Sequence, residues 1–167
     1  MGNTNENLQD AFAGESQANR RYLFFAEKAD KTEHKQIARL FRAAAEAETV
    51  HARNHLVVLG GIKTDKENLE AAIGGEHYEF TEMYPSFLEQ AKAEKNQEAE
   101  RSFDLANKVE KIHHRLYEEA LSSLASGESL GDKPYFVCQI CGNTVEGEAP
   151  EKCPICGAPR SQFKRVE

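Results

Sequence analysis

Residues 46–55 read EAETVHARNH and residues 109–120 read VEKIHHRLYEEA. Each stretch holds a Glu-x-x-His, Glu48 with His51 and Glu110 with His113. Positions three apart share a helix face, so each stretch presents a carboxylate and an imidazole together. One such pair arises readily on a solvated face. Two are a different matter when each follows a lone glutamate at nearly the same distance. Glu15 stands 33 residues before Glu48, and Glu76 stands 34 before Glu110. The chain therefore runs through the order Glu, then Glu-x-x-His, twice.

That order is the ligand set of a carboxylate-bridged di-metal helix bundle. Two close cations repel unless carboxylates bridge and neutralise them. Nitrogen and oxygen donors with open positions suit redox-active iron or manganese. The flanks fit an inward stripe: AFAGESQA (11–18) and RAAAEAETVHA (42–52) surround the ligands with small residues, although alanine is also the best helix former. Tyr22 and Tyr84 follow Glu15 and Glu76 by about two turns, in reach of a ligand carboxylate or as plain core. Glu79 lies three residues after Glu76 and has no counterpart in the first repeat, where Ala18 stands. His34, His55, His77 and His114 read as structural or solvated.

Periodicity predicts helices over about 5–29, 33–59, 76–94 and 97–124. Asp30 or Thr32 is the expected cap of the second helix. Gly60-Gly61 should end it, and Thr64 with Glu67 is a capping-box signature. Gly74-Gly75 and Pro85 weaken the third stretch. The expectation there is a connection from Gly60 to Gly75 long enough to run the length of a bundle, with a short crossover helix inside it. Residues 126–133 read as a polar, Gly-rich linker, and residues 134–167 lose helical periodicity. The expected organisation is a four-helix bundle over 1–125, a linker over 126–133 and a small metal-binding domain over 134–167.

All four cysteines lie in that last segment, in CQICGNTVEGEAPEKCPICG (138–157). Cys138-x-x-Cys141 and Cys153-x-x-Cys156 are two knuckles of a tetrahedral four-thiolate site. Spacing leaves zinc and iron open. A neighbouring di-metal site, which must be supplied with electrons, tilts the reading to iron.

The formal net charge of -7 argues against a nucleic-acid partner. No stretch has the apolar length of a membrane span. The N-terminal MGNTNENLQD is polar and acidic, without an apolar signal core. The expectation is a soluble, cytoplasmic protein.

FAGESQANRRY (12–22), EAETVHARNH (46–55), GEHYEFTEMYPSF (75–87), VEKIHHRLYEEA (109–120) and YFVCQICG…CPICGAP (135–159), taken together, resemble the rubrerythrin family over almost the whole chain. The resemblance implies a ferritin-like four-helix bundle with a non-haem di-iron site, followed by a rubredoxin-like Fe(Cys)4 domain, with three irons per chain. The implied di-iron ligands are Glu15, Glu48, His51, Glu76, Glu79, Glu110 and His113, with Glu48 and Glu110 bridging. One iron would exchange His51 for Glu79 with redox state, and Tyr22 and Tyr84 would support the ligands. Cys138, Cys141, Cys153 and Cys156 would hold the third iron. The implied activity is reduction of hydrogen peroxide to water in oxidative-stress defence. Its electrons come ultimately from NAD(P)H through a partner redox protein, a rubredoxin or a reductase. The resemblance also implies a homodimer or larger assembly, helix-exchanged in some short members, with the Fe(Cys)4 domain of one subunit near the di-iron site of another. The alternatives are a ferroxidase of the ferritin type and a zinc-loaded structural module.

Overall fold

A computed structural model describes residues 2–166. The helices are α1 (Thr4–Lys31), α2 (Lys35–Val58), α3 (Asp65–Tyr78), α4 (Tyr84–Ala93) and α5 (Gln97–Ser126), with a π-helical turn, Glu79–Met83, joining α3 to α4. The strands are β1 (Tyr135–Cys138), β2 (Thr144–Glu146) and β3 (Phe163–Val166). The chain divides into two compact units, Met1–Lys63 and Thr64–Glu167.

The first unit is the α1–α2 hairpin. Asn3 and Glu6 form a reciprocal capping box that starts α1. Glu33, at φ 60, turns the chain through the left-handed region. The expected caps of α2 do other work. Thr32 donates its hydroxyl to the Lys28 and Ala29 carbonyls and so closes α1. Asp30 pairs with Arg42 at 2.8 Å. His34 takes the cap position without a side-chain capping bond, its Nδ1 lying 3.1 Å from the Thr32 hydroxyl instead. The buried residues of the hairpin are Ala26, Ala29, Ala38, Ala45 and Ala52, so small side chains let the two backbones approach closely. Asn19 clasps the pair, donating to the Ala45 carbonyl at 2.7 Å and to the Thr49 hydroxyl at 2.9 Å.

The second unit corrects the crossover expectation. Thr64 and Glu67 do form the capping box, and the helix it nucleates starts at Asp65, not at Glu76. From there one helical column continues to Ala93 through Gly74-Gly75 and past Pro85. The π turn explains the second passage. A proline ring clashes with the carbonyl four residues back, here that of Thr81. Tyr84 N–H reaches back five residues to the Glu79 carbonyl, which widens the turn just ahead of the ring. Column and α5 are neighbours, with Tyr84, Phe87 and Phe103 in mutual ring contact. Asn96 caps α5 by accepting from Ala99 N–H, as its position in the sequence predicts. Gly127, at φ 72, ends α5 in the left-handed conformation.

The C-terminal module of this unit is a three-stranded antiparallel sheet in the order β2-β1-β3. Val137 faces Thr144 across β1–β2, and Cys138 faces Phe163 across β1–β3. No helix among the described residues is long and apolar enough to cross a membrane.

Candidate metal centres

Among the described residues three donor clusters emerge, and each lies within one unit: Glu15, Glu48 and His51 in the first, Glu76, Glu110 and His113 in the second, and the four cysteines, also in the second. The internal repeat of the sequence is carried into geometry. His51 Nδ1 lies 2.8 Å from Glu48 and 3.9 Å from Glu15. His113 Nδ1 lies 2.7 Å from Glu110 and 3.8 Å from Glu76. In both, Nδ1 is the ring nitrogen turned to the carboxylates, and the i, i+3 spacing delivers it there.

The two half-sets are charged differently. The hydrogen bond from His51, followed by one with Glu15, holds Glu48 below the usual carboxylate range. In the second unit burial dominates. Together with the nearby Glu110 charge it pushes Glu76 up to about 7. Glu79 is raised by burial and then by Glu110, so it shares the field of that cluster. The bond to Glu110 raises His113. Crowded carboxylates that resist ionising are what a cation would relieve, so the donors fit a hard, positively charged occupant.

Tyr84 is raised by burial and by the charges of Glu110, Glu79 and Glu76, which puts its hydroxyl in the field of the second half-set. Tyr22 packs against Phe25 and Phe41. Among the described residues, no hydrogen bond joins either tyrosine to a ligand carboxylate. His77 and His114 form a ring cluster with Phe80, in keeping with a structural reading.

The cysteines face one another without disulfides. Cys138 and Cys156 sulfurs are 3.7 Å apart, and those of Cys141 and Cys153 3.6 Å. A tetrahedron with metal–sulfur bonds of about 2.3 Å has edges of about 3.8 Å, so the four sulfurs fit a single ion. The thiols differ in how readily they ionise, and burial raises those of Cys141 and Cys156. At Cys153, burial opposes ionisation but is outweighed by the Cys156 and Ile155 backbone amides, which bring the thiol down to about 7. The buried Asn143 amide also points at the Cys153 sulfur, 3.7 Å away. The module touches α5. His113 Nε2 lies 3.0 Å from the Thr144 hydroxyl on β2, and Thr144 donates to the Gly142 carbonyl at 3.1 Å. Sequence reasoning missed Thr144, because a threonine two residues past a knuckle glycine carries no signal of its own. Within the chain itself, the cysteine module approaches His113.

The rubrerythrin family model matches residues 6–121, and the model of the rubrerythrin rubredoxin-like domain matches residues 136–164. The chain belongs to the rubrerythrin family. It is 37% identical to Rubrerythrin-2 of Clostridium acetobutylicum over 171 residues, covering 94% of this chain and 93% of the relative. It is 36% identical to a rubrerythrin of Porphyromonas gingivalis, covering 98% and 90%. Among solved structures it resembles nigerythrin in a partially reduced state, with a TM-score of 0.60 and 34% identity, covering 99% of this chain and 88% of that one. With family and geometry together, the donor sets fit three irons per rubrerythrin chain: a di-iron carboxylate–histidine pair and a rubredoxin-like tetrathiolate iron.

Proposed function

We propose that the protein is a non-haem di-iron peroxidase, reducing hydrogen peroxide to water with electrons passed through its Fe(Cys)4 centre, in defence against oxidative stress. The bundle would span 1–125, the linker 126–133 and the rubredoxin-like module 134–167. Glu15, Glu48, His51, Glu76, Glu79, Glu110 and His113 would hold the iron pair, with Glu48 and Glu110 bridging. Cys138, Cys141, Cys153 and Cys156 would hold the third iron. The observation that carries the reading is the 3.0 Å approach of Thr144, in the cysteine module, to His113. A one-electron centre would then stand against a ligand of the catalytic pair, and iron storage of the ferritin type has no need of one.

When bound, the irons supply two electrons to the O–O bond and recover them singly through the thiolate centre, in the sum H2O2 + 2e⁻ + 2H⁺ → 2H2O. The chain's part is to match its ligands to the changing charge. Its five ligand glutamates outweigh two ferrous ions and fall short of two ferric ones. Neutral His51 therefore suits the reduced pair, and the Glu79 carboxylate suits the oxidised pair. Tyr84, in the field of Glu110, Glu79 and Glu76, would support the ligand carboxylates, with Tyr22 in the equivalent place beside the first half-set.

A homodimer or larger assembly, with or without helices exchanged between subunits, goes with this reading. The hairpin buries only alanines, while Phe24, Leu40, Val57 and Val58 stay exposed, and a second copy would cover them. The electron donor would be a rubredoxin or an NAD(P)H-dependent reductase, in the cytoplasm. Anaerobic titration of the reduced protein with peroxide tests the reading. Return of the red Fe(Cys)4 colour at stoichiometric peroxide supports it. Slow return with peroxide but fast oxygen uptake would mark a ferroxidase instead, and a colourless, redox-silent protein would mark a zinc module.

A further inference from the structure

We propose that Thr144 is a positioning residue that fixes the His113 imidazole for its iron and carries the electron route from the four-cysteine centre to it. The proposal rests on the peroxidase reading. Three observations in the second unit support it.

The first is the direction of the hydrogen bonds. His113 Nδ1 faces Glu110 and Glu76, where the cation would sit. A ring bound through Nδ1 keeps its proton on Nε2, and the Thr144 oxygen lies 3.0 Å from that atom. The Thr144 hydroxyl gives its own proton to the Gly142 carbonyl at 3.1 Å, so its lone pairs are left for Nε2–H. The order is His113 N–H to Thr144 O–H to Gly142 C=O, and the Gly142 carbonyl also acts on the His113 ring directly.

The second is where the order ends. Gly142 is bonded in sequence to Cys141, and its N–H donates to the Cys138 carbonyl at 2.8 Å. Two hydrogen bonds and a short covalent path thus join a ligand histidine to a ligand cysteine. The third is a second point of contact one helical turn away. A Cβ built on Gly142 would lie 3.7 Å from the buried Val109 side chain, in ordinary contact. Val109 and His113 are i, i+4 on α5 and present one face to the knuckle. With metal bound at both sites, the route would carry one electron per event from the four-cysteine centre toward the ion held by His113. No atom is transferred, and the His113 and Thr144 protons stay on Nε2 and Oγ1.

His51 is the internal control. Its Nδ1 geometry is the same, but among the described residues nothing bonds its Nε2, and its side chain is 53% exposed. Paramagnetic proton NMR of the iron-loaded wild-type protein should therefore find a slowly exchanging imidazole N–H for His113 and a rapidly exchanging one for His51. Equal, fast exchange at both would overturn the proposal, and this measurement needs neither peroxide nor a variant. Thr144→Val keeps the β-branched shape but lacks the hydroxyl. It should make the His113 N–H exchange rapidly and slow the return of Fe(Cys)4 colour in single turnover by about tenfold. Thr144→Ser should restore both. Wild-type exchange and wild-type electron return in Thr144→Val would also overturn it. A wild-type protein that ignores peroxide yet shows the protected N–H would sink the peroxidase reading and leave the His113 positioning standing.

Discussion

The two half-sets hold the same three donors, two glutamates and a histidine, at nearly the same distances, and they differ in everything around them. In the α1–α2 hairpin the histidine is 53% exposed, and its contacts are the two glutamates of its own half-set. In the second unit the histidine is 27% exposed, a third glutamate stands nearby at the start of a π turn, and Thr144 bonds the far side of the ring. A repeat fixes which atoms are offered, and the surroundings fix which of them can let go. His51 has the fewer contacts and His113 the more, so on the proposed reading the first would exchange and the second would stay bound.

The widest test of that contrast is to remove each imidazole. His113→Ala should lower the iron content of the oxidised protein by about one ion per chain, because no nearby residue replaces a braced ligand. His51→Ala should leave oxidised iron content near wild type and lose iron only on reduction. Metal analysis of both variants in both redox states decides it, and equal losses would remove the distinction.

The next effect concerns Glu79, the proposed ligand without a counterpart in the first repeat. Glu79→Ala should keep both irons of the reduced pair and lower peroxide turnover by on the order of a hundredfold or more. Turnover at the wild-type rate would mean that the π turn places an ordinary surface carboxylate there.

The metal-free halves should also respond to pH in opposite senses. Burial, and then the charge of Glu110, raise Glu76 from 4.5 to about 7. A raised carboxyl stabilises the fold while protonated, so its contribution is complete below 4.5 and is lost as pH rises through about 7. His113, raised chiefly by its bond to Glu110, acts in the same sense and loses its contribution as pH climbs through its raised pKa. Glu48, lowered chiefly by its bond to His51, contributes above its ordinary value and loses that as pH falls through its lowered pKa. Calorimetry of the metal-free protein should find the second unit melting a few degrees lower at about pH 8 than at about pH 5. Iron loading should flatten the slope, because the ion takes the place of the protons. An unchanged or rising melting temperature over that range would contradict the burial of Glu76.

Much of this was legible before any coordinates. Two lone glutamates, two Glu-x-x-His pairs and two Cys-x-x-Cys knuckles announce their clusters because ligand chemistry restricts residue type and spacing together. The caps at Thr64 and Asn96 were legible for the same reason: one side chain at one position has one job. The passage through Gly74-Gly75 and Pro85 was not. Residue propensities oppose a helix there, and a π turn satisfies the backbone in a way that leaves no mark in local composition. Thr144 was hidden for a different reason. Its role comes from a contact 31 residues distant in sequence, which no periodicity encodes.

The smallest effect separates how the halves are held rather than what they hold. In the hairpin the ligand helices are joined near the ligands by Asn19, whose amide bridges the Ala45 carbonyl and the Thr49 hydroxyl. Asn19 lies one turn beyond Glu15, and Thr49 is next to Glu48. Asn19→Ala deletes two hydrogen bonds and leaves the Ala45 carbonyl to its own helix, at a cost of about 1 kcal/mol. Because that clasp sets the approach of α1 to α2, iron binding at Glu15 and Glu48 should weaken along with stability. The tetrathiolate spectrum, which depends on the second unit alone, should not change. A variant that loses stability without any change in di-iron affinity would make Asn19 a helix clasp and nothing more.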